Sequence, residues 1–309
     1  MICVSVQEKD FARCKEILAS CQMAEIRGDL CNFTDAQIEE LVEEFPNLLY
    51  THRIATSSLD KALRQMTLAV KKGVKYVDVE IEAPVDYLEY VKSYARVNGC
   101  RLIISYHNFQ GTQSLDELQT IYDICRRKGA DIVKIVTTAN STEDAVRVMQ
   151  LYKYKKRDTE LVADNFMERG EDTGSLSNSF GTNEATLVAF CMGEAGKFTR
   201  HLCLQLGAPY TYAALNAESA TAPGQYTKEE MEADINKHKV ENYFDLFTGM
   251  FTQPDKPSFS VFKVKDQTIT VESYVADEDG TATLFNTCVV KRTNEHSQLT
   301  GIEDVLVEN

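Results

Sequence analysis

The stretch YVDVEIEAPVDYLEYVKSYARVNGCRLIISYHNFQGTQSLDELQTIYDICRRKGADIVKIV (76–136) decides the fold. Three short apolar runs, YVDVEI (76–81), RLIISYH (101–107) and DIVKIV (131–136), are separated by segments 84–97 and 114–128 with helical periodicity. Ser114 ahead of 115–128 is a helix-start signal. Strand, helix and strand at this interval form a crossover unit, which joins parallel neighbours instead of making a hairpin.

The same alternation runs outward in both directions. Upstream lie ICVSV (2–6), AEIRG (24–28) and LLYTHR (48–53), with helical segments at 8–20, 35–44 and 59–72. Downstream come a helix at 141–154, LVAFCM (187–192) with a helix at 194–206, and YTYAAL (210–215) with a helix from about 227 to 247. Eight strand–helix units in roughly 245 residues fit an α/β fold of the closed (β/α)8 TIM-barrel type better than an open doubly wound sheet. No GxGxxG or GxxxxGK[ST] loop follows a strand, which weakens nucleotide-binding alternatives.

Two regions depart from the rhythm. Residues 164–184, DNFMERGEDTGSLSNSFGTNE, have neither period and read as a long polar loop inserted into the barrel. Near-copies bracket it, TELVA (159–163) and ATLVA (185–189), and the seventh strand is expected in the second because FCMGEAGKFTR follows directly. Residues 257–292 alternate with period two and carry an Asp279-Gly280 turn, which indicates antiparallel hairpins. The expected organisation is therefore a barrel over 1–249 and a small β appendage over 250–309.

Composition narrows the function classes. The 309 residues include 33 Lys plus Arg against 47 Asp plus Glu, a net charge of -14. That balance argues against nucleic acid or an anionic membrane surface as partner, but leaves room for a small anion in a locally basic pocket. No run approaches the roughly 18 apolar residues of a membrane span. Glu8, Lys9, Asp10, Arg13 and Lys15 interrupt the first apolar runs, unlike a signal peptide. The nine cysteines, an odd number without a CxxC pair, suggest free thiols in a reducing cytoplasm.

Parallel strands covered on both faces are normally apolar. Here polar residues recur two apart near the strand ends: Glu25 and Arg27, Thr51 and Arg53, Asp78 and Glu80, Ser105 and His107, with Lys134 inside DIVKIV. Residues two apart share a face, and the C-terminal rim of a barrel carries the chemistry. Singly, each has a structural explanation: a snorkelling lysine, a core histidine, arginines paired with Glu25 or Asp78. Together they would cost several kcal/mol apiece unless paired or used. Imine formation fits the set. An amine in an apolar strand is desolvated, which favours the neutral nucleophile. His107 on the neighbouring strand is placed to take an α-proton and return it to a leaving hydroxyl.

These residues resemble the type I 3-dehydroquinate dehydratases, the Schiff-base-forming enzymes of the shikimate pathway. The similar segments are AEIRGD (24–29), THR (51–53), YVDVEIE (76–82), ISYHNFQGT (104–112), GADIVKI (129–135), MGEAGKFTR (192–200) and TAPGQ (221–225). The resemblance implies that Lys134 forms an imine with the C3 carbonyl of 3-dehydroquinate and that His107 is the general acid/base. It implies that Arg200 grips the carboxylate, that Glu25, Arg27 and Arg53 bind ring hydroxyls, and that Gln225 completes the pocket from a closing loop. Ser5 and Thr221 match weaker binding positions, and Met192 a lining position. It further implies no metal or organic cofactor, and a cytoplasmic homodimer. Aldolases that work through a lysine imine are a nearer rival, and Arg200 with the APGQ loop favours the dehydratase.

The chain also departs from the family pattern. In RIATSSLD (53–60) Ser57 stands where an acidic residue usually supports the histidine, with Asp78 or Glu80 as candidate replacements. Asn108 follows His107 where Asp is frequent, and the β tail has no family counterpart. These departures motivate a second expectation: a barrel that binds the ligand without turnover and serves as an assembly component through its tail.

Overall fold

The computed structural model describes residues 1–168, 185–219, 224–237, 258–265, 268–276 and 282–291. Two compact units emerge, Met1–Asp234 and Ile235–Asn309.

In the first unit strands and helices alternate as expected. The strands are β1 (Ile2–Val6), β2 (Met23–Arg27), β3 (Leu48–Thr51), β4 (Tyr76–Glu80), β5 (Arg101–Asn108), β6 (Ile132–Thr138), β7 (Thr186–Met192) and β8 (Thr211–Ala213). The helices are α1 (Phe11–Ala19), the single turn α2 (Gly28–Cys31), α3 (Asp35–Glu44), α4 (Leu59–Lys71), α5 (Val85–Val97), α6 (Leu115–Arg127), α7 (Thr142–Glu168), α8 (Thr199–Gln205) and α9 (Lys228–Lys237). The strands form one parallel sheet in the order β7-β6-β5-β4-β3-β2-β1-β8. This is a nearly closed (β/α)8 barrel, open only in the ladder between its terminal strands β7 and β8. Phe190 and Tyr212 meet across that seam with ring centroids 5.9 Å apart.

Local chemistry explains the helix starts. Thr34 with Gln37, and Ser114 with Glu117, each form a reciprocal capping box that satisfies orphan N–H groups at α3 and α6. Helix α7 differs from the sequence expectation. It runs on through TELVA and through 164–168, where the sequence alone predicts the start of the polar loop. No glycine or proline interrupts 142–168, so helix propensity carries the chain forward, and the first glycine is Gly170. The rest of the insertion, 169–184, lies outside the described residues. Strand β7 begins in the second copy, as expected. The last expected barrel helix, 227–247, appears as α9, and its remainder lies outside the described residues.

The second unit contains β9 (Ser258–Lys265), β10 (Thr268–Ala276) and β11 (Ala282–Lys291). They pair antiparallel in the order β11-β10-β9, the hairpins expected of the tail, with an irregularity between Ser273 and Tyr274. Among the described residues no helix is long and apolar enough to cross a membrane.

The barrel positions the site through one rule. Val77, Ile103, Ile132, Val133, Ile135 and Val188 are fully buried along the strands, so the sheet is apolar almost throughout. Against that background Ser5, Glu25, Thr51, Asp78, Ser105 and Lys134 are buried polar exceptions.

Candidate active site

Alternation along the strands gathers those exceptions at one end of the barrel. A cavity of about 250 Å³ is lined by Ser5, Glu25, Arg27, Arg53, His107, Lys134, Met192, Arg200 and Gln225, with Glu80, Phe190 and Tyr212 among its other walls. Nine of the ten residues singled out by sequence thus share one cavity; the tenth, Thr221, lies outside the described residues. A wider groove of about 720 Å³ opens beside it, sharing only Ser5 and Arg27 and lacking both Lys134 and His107.

Lys134, 4 % exposed, occupies the middle of β6. Its Nζ donates to Asp78 Oδ2 at 3.0 Å and to the Tyr212 hydroxyl at 3.0 Å, and lies 4.0 Å from Glu25 Oε1. Asp78 also accepts from Arg53 at 3.0 Å and from Ser105 Oγ at 2.6 Å. Burial alone would raise the Asp78 pKa, but Arg53, then Lys134 and His107, hold the carboxyl well below the usual carboxylate range. Glu25 accepts from Ser5 Oγ at 2.9 Å and Thr51 Oγ1 at 2.8 Å. Each charge of this cluster is therefore paired or hydrogen-bonded, as the cost of burial demands.

The two rim arginines take different partners. Arg53 pairs with Asp78 and lies 3.6 Å from Glu80, whereas Arg27 grips Asp29 through two parallel bonds of 3.0 and 2.8 Å. Asp29 also accepts from Thr56 Oγ1, which ties α2 to the turn after β3. Burial raises the Glu80 pKa more than Arg53 lowers it.

His107 is half-buried at the end of β5, and its ring stacks on Phe109 with centroids 6.1 Å apart. Burial, then the positive charges of Arg53 and Lys134, push its pKa well below the usual imidazole value, outweighing Asp78. At neutral pH it is an uncharged base. Ser57 does not line the cavity, and neither candidate replacement pairs with the histidine, which feels Asp78 only through its field. Asp78 is committed to Arg53, Ser105 and Lys134, and Glu80 to Arg53. Among the described residues no carboxylate forms an ion pair with His107.

Arg200 on α8 is 2 % exposed. Its guanidinium lies 4.7 Å over the Phe190 ring, its Nε has no hydrogen-bond partner, and among the described residues no carboxylate pairs with it. Desolvation brings its pKa down to about 10. A buried guanidinium lacking an anion is costly in isolation, and its planar fork suits a carboxylate. Gly224, just before Gln225, packs so closely on Gly193 that a Cβ would come within 2.6 Å of the Gly193 carbonyl oxygen. Its φ of +69° also suits only glycine well.

Sequence reasoning missed Tyr212. The signal was present: Tyr210 and Tyr212 alternate along YTYAAL just as the polar pairs alternate elsewhere, but a strand tyrosine reads first as core. It also passed over Asp29, three residues from the end of the AEI run, as the partner of Arg27.

Comparison with known proteins agrees with this fold. The family model for type I 3-dehydroquinase matches residues 2–183 and 182–237. A 3-dehydroquinate dehydratase from Desulfotalea psychrophila is 30% identical over 240 residues, covering 74% of this chain and 94% of that relative. One from Methanothermobacter thermautotrophicus is 30% identical over 253 residues, covering 77% and 95%. Among solved structures, the type I 3-dehydroquinate dehydratase of Clostridium difficile superposes with a TM-score of 0.59 at 20% identity, covering 76% of this chain and 90% of that one. The 3-dehydroquinate dehydratase of Aquifex aeolicus gives 0.56 at 23%, covering 77% and 99%; at such identities these likenesses speak for the fold. With its barrel and most of its length matched, the chain belongs to the type I 3-dehydroquinase family.

Proposed function

We propose that this chain dehydrates 3-dehydroquinate to 3-dehydroshikimate through an imine on Lys134. One observation carries the reading: a buried lysine, an uncharged histidine and a guanidinium without an anion line the same cavity. Arg200 takes the substrate carboxylate and thereby fixes the ring. Lys134 Nζ attacks the C3 carbonyl; the carbonyl oxygen leaves as water, and the protonated imine becomes an electron sink. His107 removes a proton from C2, the electrons returning from the enamine expel the C1 hydroxyl, and His107 gives that hydroxyl its proton. Hydrolysis of the imine releases product and restores the amine. Asp78, ionised beside Nζ, stabilises the iminium charge.

Glu25, Arg27 and Arg53 bind the ring hydroxyls, Ser5 and Thr221 add weaker binding contacts, Met192 lines the wall, and Gln225 completes the pocket from the closing loop. The imine does the work of an organic cofactor or metal, so neither has a part in this route. A cytoplasmic homodimer completes the reading, and light scattering coupled to size-exclusion chromatography tests its mass.

The decisive experiment adds 3-dehydroquinate with sodium borohydride, then combines intact mass, peptide mapping and absorbance of the conjugated product. A ligand-sized adduct on Lys134 together with product supports the dehydratase. The missing carboxylate partner of His107 favours a second reading, a binding barrel without turnover, and adduct without product would select it. Folded protein giving neither adduct nor product refutes the enzyme reading.

A further inference from the structure

Tyr212 is the neutral group on Lys134, and neither the ring-binding set nor the proton transfers above make use of it. It is 5 % exposed on β8, held in register by pairing of Cys3 with Tyr212. Tyr210 stands against its ring at 5.7 Å and Phe190 at 5.9 Å, the latter across the seam between β7 and β8. Those contacts need only the ring. The hydroxyl oxygen accepts from Lys134 Nζ at 3.0 Å and also neighbours the Tyr210 hydroxyl, while the same Nζ lies 4.4 Å from the Tyr212 ring centroid. Burial raises the phenol pKa well above its usual value, so the group stays a neutral hydroxyl throughout the working pH range.

We propose that Tyr212 is a positioning residue for Lys134, its hydroxyl and Asp78 together directing the lone pair of the amine into the cavity. The inference rests on the imine reading of Lys134. A neutral primary amine has two N–H bonds and one lone pair. With Asp78 Oδ2 holding one N–H and the Tyr212 oxygen the other, rotation about Cε–Nζ is blocked. The lone pair then points away from both acceptors. When Nζ bonds to the carbonyl carbon, both amine hydrogens and the carbonyl oxygen depart as water. Protonation of the imine leaves a single N–H, which the Asp78 carboxylate claims. The Tyr212 bond therefore serves the steps that make and hydrolyse the imine, and has no part in removing the C2 proton.

Tyr212→Phe keeps the ring and deletes the hydroxyl. Rapid-quench borohydride trapping in a single turnover gives the rate of adduct formation on Lys134. The expected result is a fall of about 10–100-fold in that rate, with KM changed far less, the penalty typical of a mis-aimed reacting group. Tyr210→Phe removes a neighbouring buried hydroxyl that reaches Lys134 only through Tyr212, and should trap at close to the wild-type rate. Equal trapping by Y212F and wild type would overturn the inference, as would an equal loss in Y210F. Collapse of Y212F, seen by circular dichroism, would overturn it too, since the hydroxyl would then be supporting the strand. Absence of any wild-type adduct sinks the imine reading itself, whereas a wild-type adduct matched by Y212F sinks this inference alone.

Discussion

Replacing Asp78 by Asn tests whether the electrostatics of the barrel mouth are what the geometry says. The Asp78 side chain is 0 % exposed, and its ion-pair partners Lys134 and Arg53 are 5 % and 12 % exposed, so solvent screens the cluster little. The amide keeps the shape and can still accept from Ser105, but leaves the two cations with only Glu25, 4.0 Å from Lys134, and Glu80, 3.6 Å from Arg53, as nearby anions. Breaking one partner out of a buried pair costs about 3–5 kcal/mol, and that is the destabilisation expected of D78N at neutral pH. Urea unfolding followed by far-UV circular dichroism measures it, the chain having no tryptophan to follow. The pH dependence gives a second check. The folded Asp78 pKa lies below its unfolded value of about 3.9, so its stabilisation is complete above that pH and is lost as pH falls towards the folded pKa. The gap between wild type and D78N should therefore be flat from pH 5 to 7 and narrow below about pH 4. A difference under about 1 kcal/mol at pH 7, the size of an exposed pair, would refute the reasoning.

Two further substitutions separate binding from chemistry. Arg200→Met should raise KM for 3-dehydroquinate about 10–150-fold, the range of a charged hydrogen bond worth 1.5–3 kcal/mol, without lowering the thermal midpoint. A sharply lower midpoint with unchanged KM would show that the guanidinium supports the fold instead. His107→Ala should still form the Lys134 adduct while turnover falls about 10²–10⁴-fold. In the wild type, the acid limb of kcat/KM should lie below pH 6.5, because the base is active when neutral and its pKa is depressed. A limb at or above pH 6.5 would contradict the environment described for that ring.

The barrel was legible because two periodicities are written directly into the chain. Helical segments of 9–13 residues between buried strands leave few architectures, and polar residues two apart on such strands must share a face. Lys134 and His107 stood out for the same reason: a charge in DIVKIV or an imidazole ending RLIISYH contradicts the burial around it. Local pattern could not separate TELVA from ATLVA, since near-identical composition serves a helix in one place and a strand in the other. Nor could it pair the charges. The sequence offered Glu25 or Asp78 to the rim arginines, whereas the turn of α2 brings Asp29 within 2.8 Å of Arg27.

What the sequence by itself determined was therefore which residues face inward and near which end of the strands, because alternation and burial are properties of neighbours in the chain. Tertiary structure alone decided who meets whom. Lys134 finds Asp78 from 56 residues away and Tyr212 from 78, on strands placed by the order of the sheet. Whether Nζ has one anchor or two, and whether His107 has an acid beside it, depends on the stagger and near-closure of the barrel. Those are set by the packing of all eight strands together, and no single segment encodes them.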